Sequence, residues 1–218
     1  MEIINFAEQN SLLCQYLSEM RDVKVQKDPM RFRRNLERMG QIMAYEISKT
    51  LHYRTEDIQT PLAVSKSPVL DDKVVLATIF RAGVPFHHGF LSYFDNAENA
   101  FVSAYRKLKE KDDSLEVLIE YLASPRLDGK TLILCDPMLA TGASMDLSYR
   151  ALLTKGTPAR IHVVSVIASQ AAVDYIAEHF PQDRTTVWVG AIDPEINERS
   201  YIVPGLGDAG DLAFGIKE

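Results

Sequence analysis

Three stretches of this chain set reactive side chains where apolar runs end. The first is Leu132-Ile133-Leu134-Cys135-Asp136-Pro137-Met138-Leu139-Ala140-Thr141-Gly142-Ala143-Ser144, an apolar run that meets a single acid and then small residues. In an open parallel sheet, ligands bind beyond the carboxyl ends of the strands, and Asp136 is the first polar residue past such an end. Gly142 and Ala143 permit close backbone approach. A helix starting near Ser144 would aim unpaired N–H groups and its positive dipole end at an anion, with the Thr141 and Ser144 hydroxyls as further donors. The pattern reads as a monophosphate cradle with a carboxylate beside it. It is neither GxxxxGK[ST], whose lysine is absent, nor GxGxxG, and a plain strand–turn–helix connection has the same shape.

The second stretch, Ile79-Phe80-Arg81-Ala82-Gly83-Val84, repeats the arrangement with a cation at the strand end. A guanidinium fork there matches a diphosphate group. The third, Tyr201-Ile202-Val203-Pro204-Gly205-Leu206-Gly207-Asp208-Ala209-Gly210-Asp211, is a stiff, glycine-rich loop whose amides and carbonyls could read the polar edge of a flat small molecule. It could equally be a C-terminal turn cluster.

These residues need a scaffold. Asp28-Pro29 makes a helix start, and Phe32, Leu36, Met39, Met43 and Ile47 recur at spacings of three or four, predicting an amphipathic helix over about 29–49. Apolar runs at 74–79, 101–104, 131–135, 161–168 and 186–189 alternate with helix-like segments near 84–94, 144–155 and 169–180. That alternation predicts an α/β open sheet, mostly parallel and covered by helices on both faces. Residues 107–128 break the pattern and fit either a helix in the layer or a mobile hairpin flap. Beyond Asp193 the chain is turn-rich, with four of its eleven glycines from Gly205 to Gly215.

The 218 residues, 46% hydrophobic and 25% charged, suffice for one domain with a substantial core. A net charge of −6 lacks the footprint of a dedicated nucleic-acid binder. No stretch approaches the roughly 20 apolar residues needed to span a bilayer, and MEIINFAEQN lacks the marks of a signal peptide. Cys14 and Cys135 stand in no metal-ligand spacing, so a reducing, cytoplasmic setting is expected.

Taken together, DPMLATGAS, RAG, the Tyr105-Arg106 pair, AID…NE at 191–198 and YIVPGLGDAGD closely resemble the uracil phosphoribosyltransferases, members of the type I phosphoribosyltransferase family. The resemblance runs over nearly the whole chain and is weakest before residue 28 and across 107–128. It implies one phosphoribosyltransferase domain over 1–218, with an N-terminal helical part (1–50), a flexible flap hairpin (107–128) and a C-terminal uracil-binding hood (190–215). The implied reaction joins uracil to 5-phospho-α-D-ribose 1-diphosphate, giving UMP and diphosphate.

By the same resemblance, Asp136, Pro137, Met138, Leu139, Ala140, Thr141, Gly142, Ala143 and Ser144 would hold the ribose hydroxyls and 5′-phosphate of the donor. Arg81 and Arg106 would take its diphosphate. Ile202, Gly207, Asp208 and Ala209 would hold uracil through mainly backbone contacts, with Asp208 also facing the donor and its metal. Asp136 and Asp208 are the implied catalytic acids. The family uses Mg²⁺; a hard cation is satisfied by substrate oxygens with one or two carboxylates, so no protein ligand cluster is expected. Some members form dimers or tetramers and respond to GTP.

Departures from the family pattern bear on the site. Ala143 stands where a second glycine is usual; at φ > 0 it would strain the loop by roughly 1–2 kcal/mol, and at negative φ it is harmless, the outcome expected by analogy with ordinary Gly→Ala replacements. Thr78 replaces a common proline, Lys107 follows Tyr105-Arg106 where an acid is usual, and Val117-Leu118-Ile119-Glu120-Tyr121 only loosely keeps the flap motif. His87-His88 cannot present both rings to one metal from a single helix face. Arg31, Arg33, Arg34 and Arg38 fit a solvated helix face or a subunit contact. Two competing functions remain: an RNA-binding pyrimidine regulator on the same fold, and transfer to orotate or a purine.

Overall fold

The computed structural model describes residues 1–108 and 115–217; the side chains of 104–108 and 115–118 also lie outside the description. The chain opens with β1 (Glu2–Asn5), α1 (Leu12–Arg21) and α2 (Pro29–Ser48). In α2 the Asp28 carboxylate accepts the N–H groups of Met30 and Arg31, at 3.0 and 3.2 Å, and Pro29 fills the first turn. These groups satisfy orphan donors that would otherwise fray the helix. The five apolar residues whose spacing predicts α2 are all fully buried.

A hairpin of β2 (Tyr53–Gln59) and β3 (Val64–Leu70) follows, then β4 (Val74–Phe80), α3 (Gly83–Leu91), β5 (Glu98–Leu108), β6 (Leu115–Ala123) and β7 (Thr131–Cys135). Next come β8 (Met138–Leu139), α4 (Ala143–Leu153), β9 (Arg160–Ser169), α5 (Gln170–His179), β10 (Thr185–Asp193), β11 (Glu195–Ile196), β12 (Ile202–Val203) and α6 (Ala209–Phe214).

The main sheet has the order β1-β10-β9-β7-β4-β5-β6, with β8 added beside β9. All its pairings are parallel except β5 with β6. β4, β7, β9 and β10 are nearly continuous buried apolar runs, as a sheet covered on both faces requires. Successive residues serve opposite cores. Ile133, Cys135, Val164 and Val166 face α1, α2 and α3, where Phe32, Leu36, Phe86 and Phe90 pack. Leu132, Leu134, Ile161 and Val163 face α4 and α5, where Met145, Tyr149, Leu152, Val173 and Ile176 pack.

Two elements depart from the sequence reading, and a third settles an alternative it left open. The N-terminal part is not wholly helical, because residues 2–5 extend the sheet beside β10. The segment 107–128 contains no helix among the described residues; β6 pairs back onto β5 as the far arm of a hairpin, and the intervening 109–114 lie outside the described residues. The exposed hairpin β2–β3 was not expected at all. Among the described residues no helix is long and apolar enough to cross a membrane.

Trp188 is core, and its indole donates to His162 Nδ1 at 3.0 Å. Burial, with a smaller contribution from Arg160, holds the His162 pKa down to about 4. The folded state therefore resists a proton that the unfolded chain accepts near pH 6.5. Stability is complete above that pH and falls as the pH drops toward 4, by about 3 kcal/mol in total. Urea titrations across this range are expected to show that loss, and His162→Gln, which keeps an acceptor for the indole, to flatten it.

Candidate active site

The first candidate stretch forms a cradle at the carboxyl end of β7. The Asp136 N–H donates to the Val164 carbonyl (3.1 Å), and an Asp136 carboxylate oxygen accepts the N–H of Met138 (3.2 Å), which turns the chain into β8. The Pro137 carbonyl accepts the N–H groups of Val166 and Ile167, both at 3.1 Å. The Ala140 carbonyl accepts the Ser169 hydroxyl at 2.6 Å, and Ser169 Oγ in turn caps α5 by accepting the Ala172 N–H. With these carbonyls occupied, the loop presents mainly donors around a small hollow of about 20 Å³ lined by Asp136, Met138, Leu139, Ala140, Thr141, Gly142, Ser144 and Met145.

Gly142 is the N-cap of α4 at φ 80°, and Ala143 is the first residue of the helix proper. The left-handed conformation therefore falls on the glycine, and Ala143 carries no positive-φ strain. A Cβ on Gly142 would lie 2.6 Å from the Tyr175 ring, so both backbone angle and space demand glycine. Tyr175 also donates to Asp146 (3.2 Å), whose carboxylate accepts both bonds from Arg150 Nε at 3.0 Å.

Arg81 lies at the end of β4, next to β7 in the sheet, after a cis Phe80–Arg81 peptide. Its guanidinium points to the C-terminal segment: Nη2 pairs with Asp211 Oδ1 at 2.8 Å, and Nη1 donates to the Gly215 carbonyl at 3.3 Å. Asp208 caps α6 by accepting the Asp211 N–H at 2.9 Å. Burial works to raise the Asp208 pKa, but the backbone bonds and the nearby Lys217 ammonium outweigh it and leave the carboxyl below its usual range.

The third stretch folds as a hood beyond β10. β11 and β12 pair antiparallel, Ile202, Leu206 and Ala209 are buried, and the Val203–Pro204 peptide is cis. The hood hangs on Asp193, which is almost fully buried. Arg21 Nη1 and Nη2 meet its two oxygens at 2.9 and 2.7 Å, Gly205 N–H donates to it at 3.0 Å, and Arg21 also donates to the Gly205 carbonyl at 3.1 Å. Gln26 adds a bond to the Leu206 carbonyl, and Arg33 one to that of Ala213.

The family model for uracil phosphoribosyltransferase matches residues 7–216. The chain belongs to this family. A uracil phosphoribosyltransferase from Porphyromonas gingivalis is 60% identical over 217 residues, covering all of both chains. One from Pyrococcus furiosus is 36% identical, covering 95% of this chain and 88% of the other. A solved structure from Aquifex aeolicus superposes with a TM-score of 0.86 at 28% identity and covers 98% of each chain.

Measured against the family's implied site, the cradle residues Asp136 to Ser144 come together at one strand end, with two of them packed beneath the loop. The Leu139 side chain is buried in the core, and Met138 packs partly against the other core face. Both belong to β8, a short strand inside what reads as a loop. Arg81 and Asp208 stand close through Asp211 and Lys217. Arg106 lies in β5 opposite Val117, and its side chain lies outside the described residues.

Arg21, Tyr175 and Lys217 went unnoticed in sequence; Asp193 and Asp211 lay inside the AID and YIVPGLGDAGD signatures but were given no role. His87 is buried against Asn99 (2.8 Å) and His88 is exposed, so the pair is not a metal site. The arginines of α2 are internally engaged: Arg31 with Glu19, Arg33 with the Ala213 carbonyl, Arg34 with Glu37, and Arg38 with Asn35.

Arg21→Met leaves the Asp193 carboxylate buried and unpaired, and is expected to cost about 3 kcal/mol, read by chemical denaturation. Gly142→Ala is expected to raise the KM for the phosphorylated substrate about tenfold or more, through loop strain and collision with Tyr175. Unchanged kinetics would show that this loop tolerates a Cβ.

Proposed function

We propose that this chain transfers the 5-phosphoribosyl group of 5-phospho-α-D-ribose 1-diphosphate to N1 of uracil, releasing UMP and diphosphate, as a salvage enzyme of pyrimidine metabolism. The observation that carries the reading is the arrival of cradle, arginine and hood at one edge, the carboxyl ends of the neighbouring strands β10, β9, β7 and β4. A donor with a phosphate at one end and a diphosphate at the other matches a helix N-terminus on one side and a guanidinium on the other. The cis-proline hood supplies backbone groups for a flat base.

In this reading the α4 N-terminus takes the 5′-phosphate and Asp136 takes the ribose hydroxyls. The bond from N1 to C1′ forms as the bond from C1′ to the diphosphate oxygen breaks; the electron pair leaves with diphosphate and the N1 proton passes to solvent. Positive charge grows on the ribose, where the Asp136 carboxylate stabilises it, while Arg81 and Arg106 neutralise the departing anion. No covalent nucleophile is invoked. Burial, then the nearby Asp136 charge, push the Cys135 thiol well up, so it stays protonated.

The described residues contain no group of three or more His, Cys, Asp or Glu suited to a metal. Asp208, however, offers carboxylate oxygens, one of which already meets a cation, Lys217, at 3.0 Å. That donor set fits a hard ion that keeps substrate oxygens and water as its other ligands. Asp208 would hold Mg²⁺ there, and the ion would supply charge neutralisation to the leaving diphosphate. The family resemblance extends the proposal to a GTP effector, a homodimer or tetramer, and a cytoplasmic setting.

An assay of UMP formation from uracil, donor and Mg²⁺, with orotate and purines as competitors and GTP present or absent, tests the reading. No UMP under any condition would end it. Asp136→Asn is expected to lower kcat about 100-fold while leaving the melting temperature nearly unchanged. A parallel loss of stability would place Asp136 in the scaffold instead.

A further inference from the structure

Four charged groups form a closed set where α6 meets the end of β4. Lys217 Nζ lies 3.0 Å from Asp208 Oδ2 and 3.6 Å from Asp211 Oδ1, and Arg81 Nη2 holds the same Asp211 oxygen at 2.8 Å. Gly215, at φ 90°, turns the chain after α6, and its carbonyl accepts from Arg81 Nη1. Two cations and two carboxylates balance. A diphosphate reaching the remaining N–H groups of Arg81 would lie beside the Asp211 carboxylate and face it as a like charge.

Lys217 is the group placed to prevent this, since its ammonium already bridges both acids. We propose that Lys217 is a positioning residue for the diphosphate, neutralising Asp208 and Asp211 so that Arg81 can take phosphate oxygens beside them. This rests on the reading that Arg81 receives the diphosphate. Lys217 acts through the two acids, and its side chain is 63% exposed, so solvent and salt screen its influence and the effect is moderate.

Titration calorimetry of inorganic diphosphate at fixed Mg²⁺ and low ionic strength tests it on the full chain. Lys217→Met is expected to weaken binding about fivefold, and Lys217→Arg to stay within about twofold of the unaltered chain. Adding Asp211→Asn to Lys217→Met should recover most of the loss, because the carboxylate beside the Arg81 donors is gone and only Asp208 remains. The deficit should shrink at roughly 0.5 M salt, and the KM for uracil should not move.

Undiminished diphosphate affinity in Lys217→Met would overturn the proposal. So would a Lys217→Arg variant as weak as Lys217→Met, or a double variant that recovers nothing. If Arg81→Ala bound diphosphate as tightly as the unaltered chain, the placement of diphosphate at Arg81 would fall, and the role of Lys217 with it.

Discussion

The site depends on one buried ion pair. Asp193 ends β10 at the edge where ligands would approach, and a carboxylate taken out of water there is costly unless every oxygen is met. Arg21, 172 residues earlier in the chain, meets both oxygens, and the Gly205 N–H meets one of them again. The first helix and two stretches of the C-terminal segment thus converge on one carboxylate. α1 can deliver Arg21 because Leu13, Leu17 and Met20 bury its inner face. The geometry of the hood therefore follows from the packing of the first helix.

The cradle is built on the opposite plan. Its turn, its left-handed glycine and its helix start are consecutive in sequence, and the carbonyls that would repel an anion are consumed by β9 and by the cap of α5. What is left to a ligand is a set of N–H groups and hydroxyls beside one acid. The cradle is local, and the hood is assembled across the whole chain. Arg81 joins the two, rising from the strand next to the cradle and pairing with α6 of the hood.

The elements legible from sequence were those whose own pattern carries their stability. α2 announces itself by a cap and five spaced apolar residues, and β7 and β9 by nearly continuous apolar runs. β1 has four residues and exists by pairing with β10, so nothing within it marks a strand. β2 and β3 are polar on both faces and largely exposed, and without alternation the period of two has nothing to register. α6 spans only six residues and is defined by the Asp208 cap and the turn at Gly215. The cradle residues could be named from sequence because their chemistry is contiguous. The partners of Arg81 and Asp193 could not, because an ion pair between distant residues leaves no local trace.

By itself, the sequence determined an α/β sheet with helices on both faces, the strand ends where chemistry could occur, and, through its signatures, the family. Periodicity and turn chemistry act over a few residues, so a linear reading recovers them. Only the tertiary structure decided that the left-handed position belongs to Gly142 and not to Ala143, that Arg81 rests on Asp211, and that Arg21 carries the hood through Asp193. Each depends on the register of strands and the docking of helices, which fix distances between residues the sequence keeps far apart.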